Sequence, residues 1–151
     1  MFTAVAHIGF TVSDMDRSIS FYRDTLGLDF LGEMKMEGPE TEALFQRRGC
    51  SARVAYLCPK NNHNVPPVEL IQFLDQPAVS GTPSLFQTSI SEFCFTTDDI
   101  DCDYETLKNR GVVFLSEPQT FDSTAYGFGK SRAVYLKDPD GNILELIQPL
   151  P

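Results

Sequence analysis

The chain repeats itself, and the repeat limits what it can become more than any other feature. Residues 7–16 read His-Ile-Gly-Phe-Thr-Val-Ser-Asp-Met-Asp and residues 92–101 read Glu-Phe-Cys-Phe-Thr-Thr-Asp-Asp-Ile-Asp, so Phe10, Thr11, Asp14 and Asp16 return as Phe95, Thr96, Asp99 and Asp101. Further on, Arg53-Val-Ala-Tyr-Leu57 returns as Arg132-Ala-Val-Tyr-Leu136, and Val68-Glu-Leu-Ile-Gln72 as Leu144-Glu-Leu-Ile-Gln148. A period of this kind means that one supersecondary unit is built twice. His7, Glu69, Glu92 and Glu145 occupy equivalent slots, two in each copy.

Alternation and helical spacing read out the unit. Val5 to Val12 is strand-like, with His7, Gly9 and Thr11 on one face and Ile8, Phe10 and Val12 on the other. Ser13 or Asp14 then offers a helix N-cap. Met15 to Leu26 carries apolar residues at helical spacing, and Gly27 closes it. In the second copy Glu92–Thr97 is the strand, Asp98 or Asp99 the cap, Ile100–Asn109 the helix and Gly111 its end. Three further strands follow each helix, near 29–35, 52–57 and 68–73, then near 112–116, 131–136 and 143–148. Lys137 to Asn142 is a tight turn in which Gly141 is free to take positive φ. The expected fold is α+β: two tandem βαβββ modules forming an open, cup-shaped mixed sheet with the helices outside. Residues 1–151 are expected to make a single domain, with module 1 over about 1–75, a linker over about 76–87 and module 2 over about 88–151. The segments 36–49 and 119–130 are poorly periodic and are expected to be binding loops or lids.

The bulk numbers exclude several classes. A length of 151 residues is enough for one real core. A net charge of −9 argues against a nucleic-acid or anionic-membrane surface, both of which need clustered Lys and Arg. No apolar run reaches transmembrane length. The first residues carry no secretory pattern, and Cys50, Cys58, Cys94 and Cys102 form no C-x-x-C pair, so reduced thiols and a cytoplasmic location are expected.

Chemistry concentrates at the repeated slots. Each helix must cover the apolar face of its sheet, so Leu70 and Leu146 belong to the helix side while Glu69 and Glu145 share the open side with His7 and Glu92. A carboxylate among Val, Leu and Ile is costly to bury unpaired, so it needs a partner. A single such Glu is ordinarily satisfied by a salt bridge, and a single His is ordinarily structural. Four ligand-type groups at equivalent places in a repeat point instead to one divalent cation. His63 lies in a polar turn and reads as solvated, Cys94 as an inert thiol.

On these residues the chain resembles the vicinal oxygen chelate superfamily, which includes glyoxalase I, methylmalonyl-CoA epimerase, extradiol dioxygenases, fosfomycin-modifying enzymes and bleomycin-sequestering proteins. The resemblance rests on His7-Ile-Gly-Phe-Thr-Val with Asp14-Met-Asp, on Phe21-Tyr-Arg-Asp-Thr-Leu-Gly-Leu28, and on Asp138-Pro-Asp-Gly-Asn-Ile-Leu-Glu-Leu146. It implies paired βαβββ modules, a homodimer, and a divalent metal held by His7, Glu69, the residue at 92 and Glu145. The isomerase-like members carry His where this chain has Glu92. Three carboxylates and one imidazole leave a negative charge uncompensated around a dication. Such hard donors favour Mn, Co, Ni, Mg or Fe(II) over Zn.

The leading functional expectation is a metal-dependent isomerase, epimerase or lyase of glyoxalase-I-like type. A small substrate would chelate the metal through adjacent oxygens, and Glu145 or Glu69 would remove a proton next to a carbonyl to give an enediolate. Arg53 and Arg132, with Arg47, Arg48 and Lys130, are candidates for a local anion site. A second reading is a metal-free protein that sequesters an aromatic ligand against Phe45, Phe121, Tyr126 and Phe128. An extradiol-type dioxygenase ranks lower, because its iron site needs two histidines and one carboxylate.

Overall fold

A computed structural model describes residues 3–79, 81–86, 88, 90 and 92–151. The chain divides into two compact units, within residues 1–80 and 81–151. The first contains β1 (Ile8–Thr11), α1 (Met15–Ser20) running on into a π-helical turn (Phe21–Thr25), β2 (Asp29–Met36), α2 (Pro39–Leu44), β3 (Ala52–Cys58) and β4 (Val68–Phe73). The second contains β5 (Phe93–Thr96), α3 (Ile100–Asn109), β6 (Val113–Phe114), β7 (Gln119–Asp122), β8 (Lys130–Lys137) and β9 (Ile143–Leu150).

The two sheets have the same plan. Their strand orders are β1-β4-β3-β2 and β5-β9-β8-β6, with β7 also paired to β8. The first strand of each module lies parallel to its last, and the remaining pairs are antiparallel. Each sheet is therefore open, mixed and covered by its own helix. Met15, Ile19 and Tyr22 from α1 and its continuation are buried with Phe10, Val12, Val54 and Leu70, and α1 packs on β3 and β4. Ile100, Tyr104 and Leu107 are the buried stripe of α3, which packs on β9.

Both helices begin in the same way, and the sequence reading only half anticipated it. Asp14 accepts a bond from the Arg17 N–H at 3.0 Å, and Asp99 accepts one from the Cys102 N–H at 3.0 Å. These side chains satisfy one of the orphan donors at each helix start. The last residue of the repeated Glu-Leu-Ile-Gln adds a long-range cap. Gln72 Oε1 accepts from the Met15 N–H at 3.1 Å and its Nε2 donates to the Ser13 carbonyl at 3.1 Å. Gln148 does the same for the Ile100 N–H at 3.2 Å and the Asp98 carbonyl at 2.6 Å. Replacing Gln72 with Met should leave a partly buried donor unpaired and cost about 1–3 kcal/mol, read as a lower midpoint in urea unfolding; an unchanged midpoint would deny the cap any role.

Several expected boundaries need correction. β1 spans four residues rather than the stretch from Val5 to Val12, because its ladder with β4 runs from Ile8 opposite Val68 to Thr11 opposite Ile71, and the Val12 N–H makes the last bond to the Ile71 carbonyl at 2.9 Å. The same limit shortens the second-copy strand to Phe93–Thr96, against β9. The helix expected over 15–26 is α-helical only to Ser20 and then widens, the Leu26 N–H bonding back five residues to the Phe21 carbonyl at 2.9 Å. The two expected loops are structured. Segment 36–49 contains α2 and is pinned by Phe45 against Phe73, ring centroids 5.2 Å apart, and by Arg47 on Asp75 at 2.7 Å. Segment 119–130 is a hairpin arm, β7 pairing with β8 from Gln119 opposite Ala133 to Asp122 opposite Lys130.

Candidate metal and substrate site

Register places the groups of module 1. In β4, Leu70 faces the helix and is fully buried, so Glu69 points to the opposite face, where it is 9% exposed. Its neighbours across the sheet are Gly9 on the parallel strand and Tyr56 on the antiparallel one. The Tyr56 hydroxyl donates to Glu69 Oε1 at 2.6 Å, while Oε2 lies 3.3 Å from His7 Nε2. Burial, and then the carboxylate beside it, push the Tyr56 phenol up to about 12, so it remains a donor across the whole physiological range. His7 sits just ahead of β1 with its side chain 44% exposed, its Nε2 on Glu69 and its ring tilted against Tyr56, centroids 6.0 Å apart.

Module 2 repeats the register with different chemistry. Glu145 lies on β9 between Cys94 and Tyr135, as Glu69 lies between Gly9 and Tyr56. Glu92 stands just ahead of β5, where His7 stands ahead of β1. The Cys94 thiol is pushed up to about 12, first by burial and then by the Glu145 carboxylate, although the residue keeps one side open to solvent. Its sulfur also makes a long contact of 3.8 Å to the Phe95 carbonyl. The Tyr135 phenol is raised as well, by burial and then by Glu145, Glu92 and Cys94.

These donors suit a hard divalent ion. Neighbouring oxygen and nitrogen ligands around a small octahedral cation at about 2.1 Å lie roughly 3 Å from one another, and the His7–Glu69 pair is set at 3.3 Å. Tyr56 claims one carboxylate oxygen and leaves the other on the histidine side, which is how outer partners orient metal ligands. The described residues contain no group of three or more His, Cys, Asp or Glu side chains drawn together in metal-holding geometry. Module 1 supplies one close pair, His7 and Glu69 at 3.3 Å.

A family model for the Glyoxalase/Bleomycin resistance protein/Dioxygenase superfamily matches residues 4–146. The chain belongs to this superfamily. It is 28% identical over 148 residues to a metallothiol transferase FosB from Staphylococcus haemolyticus, covering 97% of this chain and 84% of the relative. A glyoxalase family protein from Bacillus cereus superposes with a TM-score of 0.83 at 21% identity, covering 100% of this chain and 97% of that one. TnmS3, an antibiotic binding protein from Streptomyces, superposes with a TM-score of 0.61 at 25% identity, covering 99% and 98%.

The remaining candidates of this superfamily member are placed as follows. Arg53 bonds Asp16 at 2.8 Å and Glu33 at 2.9 Å, which holds its guanidinium charged. Arg132 pairs with Asp101, the repeat equivalent of Asp16. Both guanidinium groups are thus engaged with carboxylates at the helix starts, and both hold those carboxylates below the usual range. Phe45 is half-buried on Phe73. Phe121, Tyr126 and Phe128 are 51%, 80% and 86% exposed, all on the β7 hairpin arm. His63 bonds Asp29 at 3.0 Å in its polar turn, away from the repeated slots. The sequence reading passed over Tyr56, Tyr135 and Gly9. The signal for the tyrosines is present in Arg53-Val-Ala-Tyr and its copy, and that for Gly9 in His7-Ile-Gly, but only the strand register shows that these residues flank the two glutamates.

Proposed function

We propose that this protein is a divalent-metal-dependent enzyme of isomerase, epimerase or lyase type, acting on a small substrate with two adjacent oxygen atoms. The observation that carries the reading is the duplicated glutamate–tyrosine register, Glu69 opposite Tyr56 and Glu145 opposite Tyr135, each with a ligand-type residue heading the neighbouring parallel strand. Duplication of a carboxylate that is buried at Glu69 and half-buried at Glu145 argues for use, because a structural need would be met at lower cost by an apolar side chain.

A bound divalent ion would act as a Lewis acid on the substrate's oxygens. His7 and Glu69 are the ligands the geometry supports best, with Tyr56 fixing the carboxylate. Glu145 is half-buried and stands beside a weak thiol donor, so its carboxylate is available to take a proton from carbon next to a carbonyl. Glu69 is the second base where the reaction is an epimerisation. Glu92 serves as a fourth ligand or as a nearby base. The similarity to a metallothiol transferase supports metal dependence and sets thiol transfer beside proton transfer as the competing reaction class.

The test is deuterium incorporation from heavy water with Mn²⁺ added, using hemithioacetals and α-hydroxy ketones as substrates. Metal-dependent exchange next to the carbonyl is expected, falling about 10²–10⁴-fold in Glu145→Gln. Metal-dependent thiol addition without exchange would move the assignment to transfer. A second reading, a sequestering protein, is favoured by the exposed aromatics of the β7 arm and by the likeness to an antibiotic binding protein. Tight binding of an aromatic ligand with no added metal and no turnover would establish it instead.

A further inference from the structure

Gly9 is a glycine in a strand, where that residue weakens pairing and often marks a close approach. Its φ lies outside the left-handed region that favours glycine, so backbone conformation does not require it. What it supplies is space. A Cβ built on Gly9 would stand 3.1 Å from Glu69 Oε2, tighter than ordinary carbon–oxygen contact, with Ile71 Cδ1 next at 3.8 Å. Oε2 is the same oxygen that faces His7 Nε2 at 3.3 Å, while Tyr56 holds Oε1 from the other side. In module 2 the equivalent slot is filled by Cys94, opposite Glu145, and there the residue in the histidine position is Glu92.

From this we propose that Gly9 is a positioning residue: its missing side chain lets the Glu69 carboxylate lie flat between Tyr56 and His7, and the side chain of Cys94 denies Glu145 the same placement. The two glutamates are therefore not interchangeable. Glu69 is built to share a ligand with an imidazole, and Glu145 is kept off that position by the thiol. The atom that must yield to a new methyl group is the end of a flexible side chain. The loss should accordingly appear in the site and not in the fold.

The inference rests on His7 and Glu69 being metal ligands, and the experiment separates the two claims. Calorimetric titration with Mn²⁺ would compare the unmodified protein with Gly9→Ala, alongside a metal-free crystal structure of the variant. Gly9→Ala should unfold at the same urea concentration or higher, bind Mn²⁺ at least about tenfold more weakly, and show the Glu69 carboxylate turned beyond hydrogen-bonding distance of His7. Unchanged affinity with the His7–Glu69 pair intact would overturn the proposal. Should the unmodified protein bind no Mn²⁺, the metal reading fails and the crystal structure alone decides the role of Gly9. Where Gly9→Ala does not fold, the reciprocal change decides. Glu92→His with Cys94→Gly should bind Mn²⁺ several-fold more tightly than Glu92→His alone, because the freed space lets the Glu145 carboxylate turn toward the new imidazole, and equal affinity would overturn the claim.

Discussion

Glu69→Gln and His7→Ala should each weaken Mn²⁺ binding by more than the roughly 10–100-fold that losing an outer-shell partner costs, with Tyr56→Phe falling inside that range. The order follows from what each side chain gives up. Glu69→Gln keeps the shape and keeps an oxygen for the Tyr56 hydroxyl, but removes the charge that a hard cation needs from its ligand. His7→Ala removes the one nitrogen donor among the four repeated positions. Tyr56→Phe leaves both ligands in place and only frees the carboxylate to turn. Calorimetry on the three variants gives the ranking directly. If His7→Ala and Glu69→Gln both bind Mn²⁺ as the unmodified protein does, the pair at 3.3 Å is a structural contact and the metal assignment falls. Glu145→Gln is expected to separate from these variants, losing turnover by a larger factor than it loses affinity, because its proposed task is to hold a proton.

What could be read from the residues was whatever depends on period. The alternation in Val68-Glu-Leu-Ile-Gln72 alone puts Leu70 under the helix and Glu69 on the other face, and the second copy puts Leu146 and Glu145 in the same relation. Helix α3 was bounded at Ile100 and Asn109 by an N-cap aspartate and a closing glycine, both strong local signals. What could not be read depends on register, which no single strand specifies by itself. Tyr56 looks like any aromatic in a buried strand until its partner across β4 is known to be Glu69. Gln72 looks like a solvated strand end until its amide is seen on the first turn of α1. Gly9 reads as a weak point in a strand and is instead the space beside a carboxylate. The hairpin arm at 119–130 was missed for a different reason: its residues are exposed throughout β7, so they carry no apolar alternation to detect.

Leu70→Ala should destabilise the protein by about 2–5 kcal/mol, the range for truncating a buried leucine whose surroundings cannot collapse into the gap. Leu70 has no exposed surface and lies on the central strand pair of its sheet, opposite Ala55 on one side and Phe10 on the other, with α1 packed over β4. Ala55 is already small and Phe10 is held in its own strand, so neither can move in to fill the space. Leu146→Ala should fall in the same range with a somewhat smaller effect, since Leu146 keeps 8% of its surface and gains less from burial. The informative comparison is with the adjacent residue. Glu69 is one position away on the same strand, yet Glu69→Gln should shift the urea midpoint little, because Gln still accepts from Tyr56 and fills the same volume. One side chain belongs to the fold and its neighbour to the site, as a period of two requires. If Glu69→Gln instead cost as much stability as Leu70→Ala, the carboxylate would be a structural partner of Tyr56 and His7. The duplication of that slot in Glu145 would then need an explanation in folding and not in chemistry.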